Sequence, residues 1–205
     1  MDGELRFRSL SQFKQIEDGE VRGDLREGSI SFQPKGGLVS NIQTQGKAFS
    51  LPEGSYFSSV VKTEEIFIIC ASNSMTDELR GRFEAKACVQ IYRPKNLLAR
   101  IGYELPRTAT LRAEAVVYYS PVNEPGPKWA FPERIAFSKI DSYAWQDEFR
   151  YVFAITNALK YGSTQQKIVI PNQPPGTAVP LSPPEPHDYL MKVKSLGSIC
   201  KLHIF

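Results

Sequence analysis

Three short groups of residues carry the side chains that chemistry needs, and they are spread along the chain. Arg6 and Arg8 stand near the start, Ser72-Asn73-Ser74 in the first half, and Gln146-Asp147-Glu148 after the aromatics Tyr143 and Trp145. Histidine is scarce. Only His187 and His203 occur, a poor supply for a histidine-based triad, a two-histidine metal site or a histidine phosphodiesterase. Cys70, Cys88 and Cys200 are scattered and form no Cys-x-x-Cys pair, which excludes a disulfide framework and a zinc site of the usual spacing. Cys70 and Cys88 fall in strand-like runs and read as buried, inert thiols. Gly36-Gly37 is followed by no Lys-Ser/Thr pair, and there is no G-x-S-x-G, H-E-x-x-H or G-x-G-x-x-G. P-loop hydrolases, α/β serine hydrolases, zincins and Rossmann enzymes are thereby set aside. Any chemistry must lean on carboxylates, serines and arginines.

Charge is nearly balanced, with 25 Lys and Arg against 22 Asp and Glu for a net of +3. That is too little to argue for nucleic acid by itself. The middle of the chain is more basic: Arg80, Arg82, Lys86, Arg93, Lys95, Arg100, Arg107 and Arg112, with Phe83, Tyr92 and Tyr103 among them. A nucleic-acid groove would use such residues for phosphate contacts and base stacking; a solvated surface would carry them as well. Glu17, Asp18, Glu20, Asp24 and Glu27 form an acidic cluster interrupted by Arg22 and Arg26. It reads as a solvated loop whose charges neutralise one another rather than as a divalent-metal site. Arg22-Gly23-Asp24 is read as a chance occurrence of the adhesive tripeptide.

Taken in order, Arg6 or Arg8, Ser72-Asn73-Ser74 and Gln146-Asp147-Glu148 resemble the Arg / Ser-x-Ser / Gln-x-Glu arrangement of the mono-ADP-ribosyltransferase superfamily. The resemblance implies an enzyme that cleaves NAD, its substrate, in a cleft between small mixed sheets, and transfers ADP-ribose to a macromolecule, protein or nucleic acid. It implies Glu148 as the catalytic carboxylate and Gln146 as the residue facing the acceptor. Arg6 or Arg8 would hold NAD, Ser72 and Ser74 would brace the pocket, and Trp145 or Tyr143 would lie near the acceptor. The physics is coherent: breaking the glycosidic C–N bond makes a cationic sugar, which one placed carboxylate stabilises without metal or histidine. The three groups should then converge in one cleft. Glu148 and Arg150, two apart and on one strand face, also read as an ordinary surface ion pair. A broader resemblance, running from Phe7-Arg8-Ser9-Leu10 to Gln146 through Arg150, is to a family of uncharacterised microbial domains. It implies one compact domain, and with it an alternative function: non-catalytic binding of a protein or nucleic acid through the basic centre.

The elements that must position these residues can be read from periodicity. Leu5–Arg8 alternates as a strand, and Ser9 or Ser11 can cap a short helix through Phe13 and Ile16. Ser29–Phe32, Gly37–Ile42 and Tyr56–Val61 are short strand-like runs. Glu65–Ala71, apolar without a break from Ile66, reads as a strand buried on both faces. Thr76 caps a helix through Phe83, Ala87–Tyr92 is a strand, and Pro94 opens a helix through Ile101. Leu111–Tyr119 reads as one long strand, followed by a loop with four prolines between 120 and 132. Ile135–Ile140 is ambiguous, while Asp147–Ile155 and Gln166–Ile170 are strands.

Seven of the 15 prolines fall between Pro171 and Pro186, a surface segment that returns Tyr189–Val193 and Cys200–Phe205 to the sheet. With 41% hydrophobic residues over 205 positions, the expected fold is one α+β domain spanning 1–205. It should hold many short strands in mixed or antiparallel sheets, a few short helices and long loops. No run of ~18 apolar residues is present to span a membrane, and Met1–Arg6 is no secretory leader, so a cytoplasmic location is expected.

Overall fold

The computed structural model describes residues 3–14, 24, 26–33, 39–44, 47–50, 52–171 and 187–205. Strand β1 (Glu4–Ser9) runs into a single helical turn, α1 (Leu10–Phe13). Then come β2 (Ser29–Phe32), β3 (Val39–Thr44), β4 (Lys47–Ser50) and β5 (Tyr56–Val60). Strand β6 (Phe67–Ser72) leads to helix α2 (Asp77–Arg82), β7 (Ala87–Ile91) and helix α3 (Pro94–Glu104). The second half holds β8 (Thr110–Ala115), β9 (Val117–Tyr119), α4 (Pro132–Ala136), β10 (Ser138–Ile140) and a 3-10 segment, Asp141–Gln146. It closes with β11 (Glu148–Ala154), β12 (Gln165–Val169), β13 (Asp188–Lys192) and β14 (Cys200–Ile204). This is an α+β domain of short strands and short helices, as the sequence predicts.

The largest sheet has the order β13-β1-β6-β11-β8, and every pairing in it is antiparallel. Side chains alternate between its faces. On β11, Phe149, Tyr151 and Phe153 face one way, into a cluster with Phe7, Leu97, Ile101 and Ile199 that α3 covers. Phe153 is its hub, with ring centroids 4.8 Å from Phe7, 5.3 Å from Phe67 and 5.1 Å from Tyr189. Val152 and Ala154 face the other way, into a second cluster with Leu10, Ile30, Ile68 and Ile135. The same face continues along β11 as Arg150 and Glu148. An apolar surface thus becomes a charged one as the strand is followed back toward its start.

Local sequence explains the helices. Thr76 caps α2, its Oγ1 accepting from the Leu79 N–H at 3.2 Å. Pro94 occupies the first turn of α3, where a missing N–H costs nothing. The single helical turn α1 ends at Phe13, and Ile16 lies outside the described residues.

Several expectations are corrected. Leu111–Tyr119 is not one strand: Val116 donates its N–H to the Glu148 carbonyl at 2.8 Å, and Val117 donates to Phe137 at 2.8 Å. The chain therefore leaves the large sheet at Ala115 and joins β10 in a separate, parallel pair. The ambiguous run 135–140 divides between the end of α4 and β10. β6 is buried on both faces only in its first half: Ile68 is fully buried, whereas Cys70 and Ser72 open to solvent. Cys88 is half-buried and Cys200 buried, so of the two cysteines expected to be inert and covered, Cys70 is exposed and Cys88 only partly shielded. β13 returns to the large sheet beside β1, but β14 pairs with β7 in a ribbon of its own. The segment 172–186 and most of the acidic cluster lie outside the described residues. No described helix is long and apolar enough to cross a membrane.

Candidate active site

The turn before β2 places the first charge. Asp24 Oδ1 accepts from the Arg26 N–H at 2.8 Å, the Glu27 N–H donates to the Asp24 carbonyl at 2.9 Å, and the Ser29 N–H donates to the Arg26 carbonyl at 2.9 Å. Gly28 completes the turn at φ 70°, and a Cβ there would meet Thr63 Cγ2 at 2.4 Å. Glu27 is thereby driven inward to 2% exposure. This corrects the reading of Glu27 as part of a solvated, self-neutralising loop. Asp24 is also buried; desolvation first, then the neighbouring Glu27 carboxylate, raise its carboxyl above the ordinary value.

The second turn lies before β11. The 3-10 segment ends in Asp147, whose φ of 44° and ψ of 52° are left-handed. The end of β6 holds that bend. The Asn73 N–H donates to the Asp147 carbonyl at 2.7 Å, and Asn73 Nδ2 lies 3.2 Å from both that carbonyl and Oδ1. The Ser72 hydroxyl donates to the Gln146 carbonyl. With the bend so fixed, Gln146 and Glu148 both turn inward, to 6% and 5% exposure.

There the charges meet. Arg150 is fully buried and donates Nη1 and Nη2 to the two Glu27 oxygens at 2.7 and 2.9 Å. Its Nε donates to Glu148 Oε1 at 2.6 Å, and Nη1 also reaches the Ala136 carbonyl at 2.8 Å. Lys139 Nζ, from β10, donates to Gln146 Oε1 at 2.9 Å and stands 3.4 Å from Glu148 Oε2. Two carboxylates and two cations are thus buried together, Glu27–Arg150–Glu148–Lys139. Burial alone would raise the Glu148 pKa, but Arg150 and Lys139 outweigh it and bring the carboxyl down to about 2. Burial likewise disfavours the charged forms of Arg150 and Lys139, and the facing carboxylates more than offset it, raising both. The Glu148–Arg150 pair anticipated from their spacing exists, but deep in the protein rather than on its surface.

A cavity of about 280 Å³ opens on this network, with Arg8, Cys70, Ser72, Gln146, Glu148 and Arg150 in its walls and Phe13 and Phe83 at its side. The sheet register accounts for it: Arg8 lies opposite Ile68, Cys70 opposite Arg150, and Ser72 opposite Glu148. Of the two arginines on β1, only Arg8 lines the cavity; Arg6 is turned to Asp188, with Nε at 2.7 Å from Oδ2. Ser74 lies beyond the wall, and Asn73 rather than Ser74 shares with Ser72 the bracing of the turn. Tyr143 and Trp145 stand outside the lining. Lys139 Nζ lies 4.6 Å from the Tyr143 ring centre, and the Arg82 guanidinium lies 4.5 Å from that of Trp145, which leans on Phe83 at 5.5 Å.

Residues that sequence reasoning passed over complete the site. Lys139 and Arg150 hold Glu148, Glu27 holds Arg150, and the Tyr118 hydroxyl accepts from the Glu148 N–H at 2.8 Å. The alternation of Glu148 with Arg150 carried a signal for the latter, and Glu27 was noticed only as part of an acidic cluster read as solvated; nothing marked Lys139. Cys70 faces the cavity, where desolvation first and Glu148 second push its thiol well above the ordinary value. Among the described residues no group of three or more His, Cys, Asp or Glu is placed to hold a metal ion.

The arrangement provides a carboxylate that stays ionised through the neutral range, with each oxygen able to accept a further hydrogen bond. It sits behind a small mouth bordered by Arg8 and aromatic rings. At about 280 Å³ the cavity is near the lower end of ligand pockets, roughly 300–1,000 Å³, and encloses one ring with its sugar rather than a dinucleotide. No protein-family model, curated protein or solved structure matches the chain.

Proposed function

We propose that the chain is an ADP-ribosyltransferase-like enzyme that takes NAD by its nicotinamide-ribose end. One observation carries this reading. Arg8, Ser72 and Glu148, from three strands far apart in sequence, and Gln146, from the 3-10 segment before the last of them, line one cavity. The nicotinamide and its ribose would enter that cavity, leaving the pyrophosphate at its mouth near Arg8. A guanidinium there suits a phosphate oxygen. The glycosidic C–N bond breaks with its electron pair leaving on nicotinamide. The ionised Glu148 accepts a hydrogen bond from the ribose hydroxyl and stabilises the cationic sugar. An acceptor nucleophile then forms the new bond to the anomeric carbon and releases its proton. Gln146 stands on the acceptor side, with Trp145 and Tyr143 outside the cavity where a macromolecule would approach.

A second reading has its own observation. Arg150 and Lys139 already balance Glu148, so a cationic sugar gains less from it than from an unpaired carboxylate. That favours a non-catalytic module, binding protein or nucleic acid through the basic centre. Much of that centre is engaged locally, however. Arg82 pairs with Glu78, Arg112 with Glu133, and Arg100 with Ser198 and the Lys194 carbonyl.

Incubation with labelled NAD separates the two. The enzyme reading expects release of nicotinamide and transfer of label to protein or nucleic acid of a lysate. It expects both to be lost in Glu148→Gln, and the NAD concentration for half-maximal release to rise in Arg8→Gln, whose partly exposed side chain can change without loss of melting temperature. Absence of release and of NAD binding by the wild type, with salt-dependent retention of oligonucleotides, overturns it in favour of the binding module.

A further inference from the structure

A second and larger cavity, of about 520 Å³, is lined by β9 and by the proline-rich loop 120–132, and shares no lining residue with the first. Its walls include Tyr118, Tyr119 and Trp129, and its rim carries Lys128, Arg134 and Glu124. The rings are fixed. Tyr119 and Trp129 pack against the core cluster behind them, the Tyr118 hydroxyl is held by the Glu148 N–H, and Tyr119 is hydrogen-bonded to Ser31. The loop is fixed as well. Gln33 donates its N–H to the Pro121 carbonyl at 2.7 Å, and the Trp129 N–H reaches the Gly126 carbonyl at 3.0 Å. Aromatic walls that are ordered before binding lose little freedom when a planar ring enters.

The rim has a sign. Arg134 is exposed in the last turn of α4, and neither it nor Lys128 is held in an ion pair among the described residues, although its neighbour Glu133 is paired with Arg112. Glu124 is the single carboxylate of the lining and suits a hydroxyl or an amino group. Two cations without an ion pair among the described residues, one carboxylate and aromatic walls match a planar heteroaromatic ring on a polyhydroxylated body with an anionic end. We propose that this cavity binds a nucleoside monophosphate, its base among Tyr118, Tyr119 and Trp129 and its phosphate on Arg134 and Lys128. The volume suits one nucleotide, within the range of small-ligand pockets. The proposal does not depend on NAD chemistry in the first cavity.

Calorimetric titration of the full chain with adenosine 5′-monophosphate tests it. One saturable site is expected, with adenosine at least about tenfold weaker for want of the charge-assisted phosphate bonds. Arg134→Gln, an exposed change checked by an unaltered melting curve, should weaken the monophosphate and leave adenosine unchanged, and Arg134→Gln with Lys128→Gln should bring the monophosphate down to the affinity of adenosine. Trp129→Leu should weaken both ligands alike. A saturating monophosphate should leave iodoacetamide labelling of Cys70, in the other cavity, unchanged. Absence of saturable binding, equal affinity for adenosine and its monophosphate, or an unaltered affinity in Arg134→Gln overturns the proposal. So does protection of Cys70, which would put the nucleotide in the first cavity.

Discussion

Glu27 grips Arg150 with both carboxylate oxygens, at 2.7 and 2.9 Å, across 123 residues of sequence. Neither side chain sees water: Arg150 is 0% and Glu27 2% exposed. Removing one partner of such a pair leaves the other buried without its counter-charge, at a cost of about 3–5 kcal/mol. Glu27→Ala should therefore lower the unfolding free energy by that amount, read as a lower urea midpoint at unchanged slope. Arg6→Ala, which breaks the solvent-facing pair with Asp188, should cost no more than about 1 kcal/mol. Equal shifts for the two variants would show that the buried network contributes no more than a surface pair.

The same network sets the response to acid. The Glu148 carboxyl titrates near 2 in the folded chain against 4.5 as its ordinary value, so the folded state holds its proton less tightly than the unfolded one. The stability this supplies is present above about pH 4.5 and is lost as pH falls through 2, and it amounts to about 3 kcal/mol. Asp24 works in the opposite sense, because burial and Glu27 raise its pKa and its protonation on acidification favours the fold. Unfolding free energy followed by circular dichroism should fall between pH 4.5 and pH 2 in the wild type. The fall should be shallower in Glu148→Gln, and parallel curves would remove Glu148 as its source.

The strands that build the site were readable because their alternation survives the ends of the sheet. Leu5–Arg8 and Asp147–Ile155 declare themselves, and with them the face shared by Glu148 and Arg150. What no pattern declares is the depth of that face. A Glu-x-Arg pair on a strand reads as a surface pair, and it is buried here because Glu27 arrives from a turn that Asp24 and Gly28 shape. Lys139 was hidden for a similar reason: it sits in a three-residue strand whose partner, β9, is cut from an apparently continuous run by the crossing at Val116. Contacts that depend on long-range pairing have no local periodicity to betray them. Ser72 and Asn73 show the converse. The motif drew notice to the right place, but it is the backbone carbonyls of Gln146 and Asp147 that they hold.

That hold is itself testable. Asn73→Ala deletes the side-chain bonds to Asp147 and keeps the backbone one, which should cost about 1 kcal/mol. Because Asp147 sits in the left-handed region, losing the brace should also loosen the turn that aims Gln146 and Glu148. Hydrogen exchange at the amides of 146–148 should then quicken more than exchange at 150–153, deeper in the same strand. A uniform change along β11 would mean that Asn73 acts only through overall stability.

Cys70 reports on the cavity from inside. The residue is exposed, yet desolvation of its thiol and the Glu148 carboxylate both disfavour the thiolate, the form that attacks an alkylating reagent. At pH 8 the Cys70 peptide, resolved by mass spectrometry from those of Cys88 and Cys200, should take up iodoacetamide at least about tenfold more slowly than an unfolded peptide. Glu148→Gln removes the negative charge facing the thiol and should speed the reaction. NAD, if it occupies this cavity, should slow it further in the wild type. Fast labelling in the wild type, unaffected by Glu148→Gln, would mean that the carboxylate does not face the thiol and that the cavity is not enclosed as described.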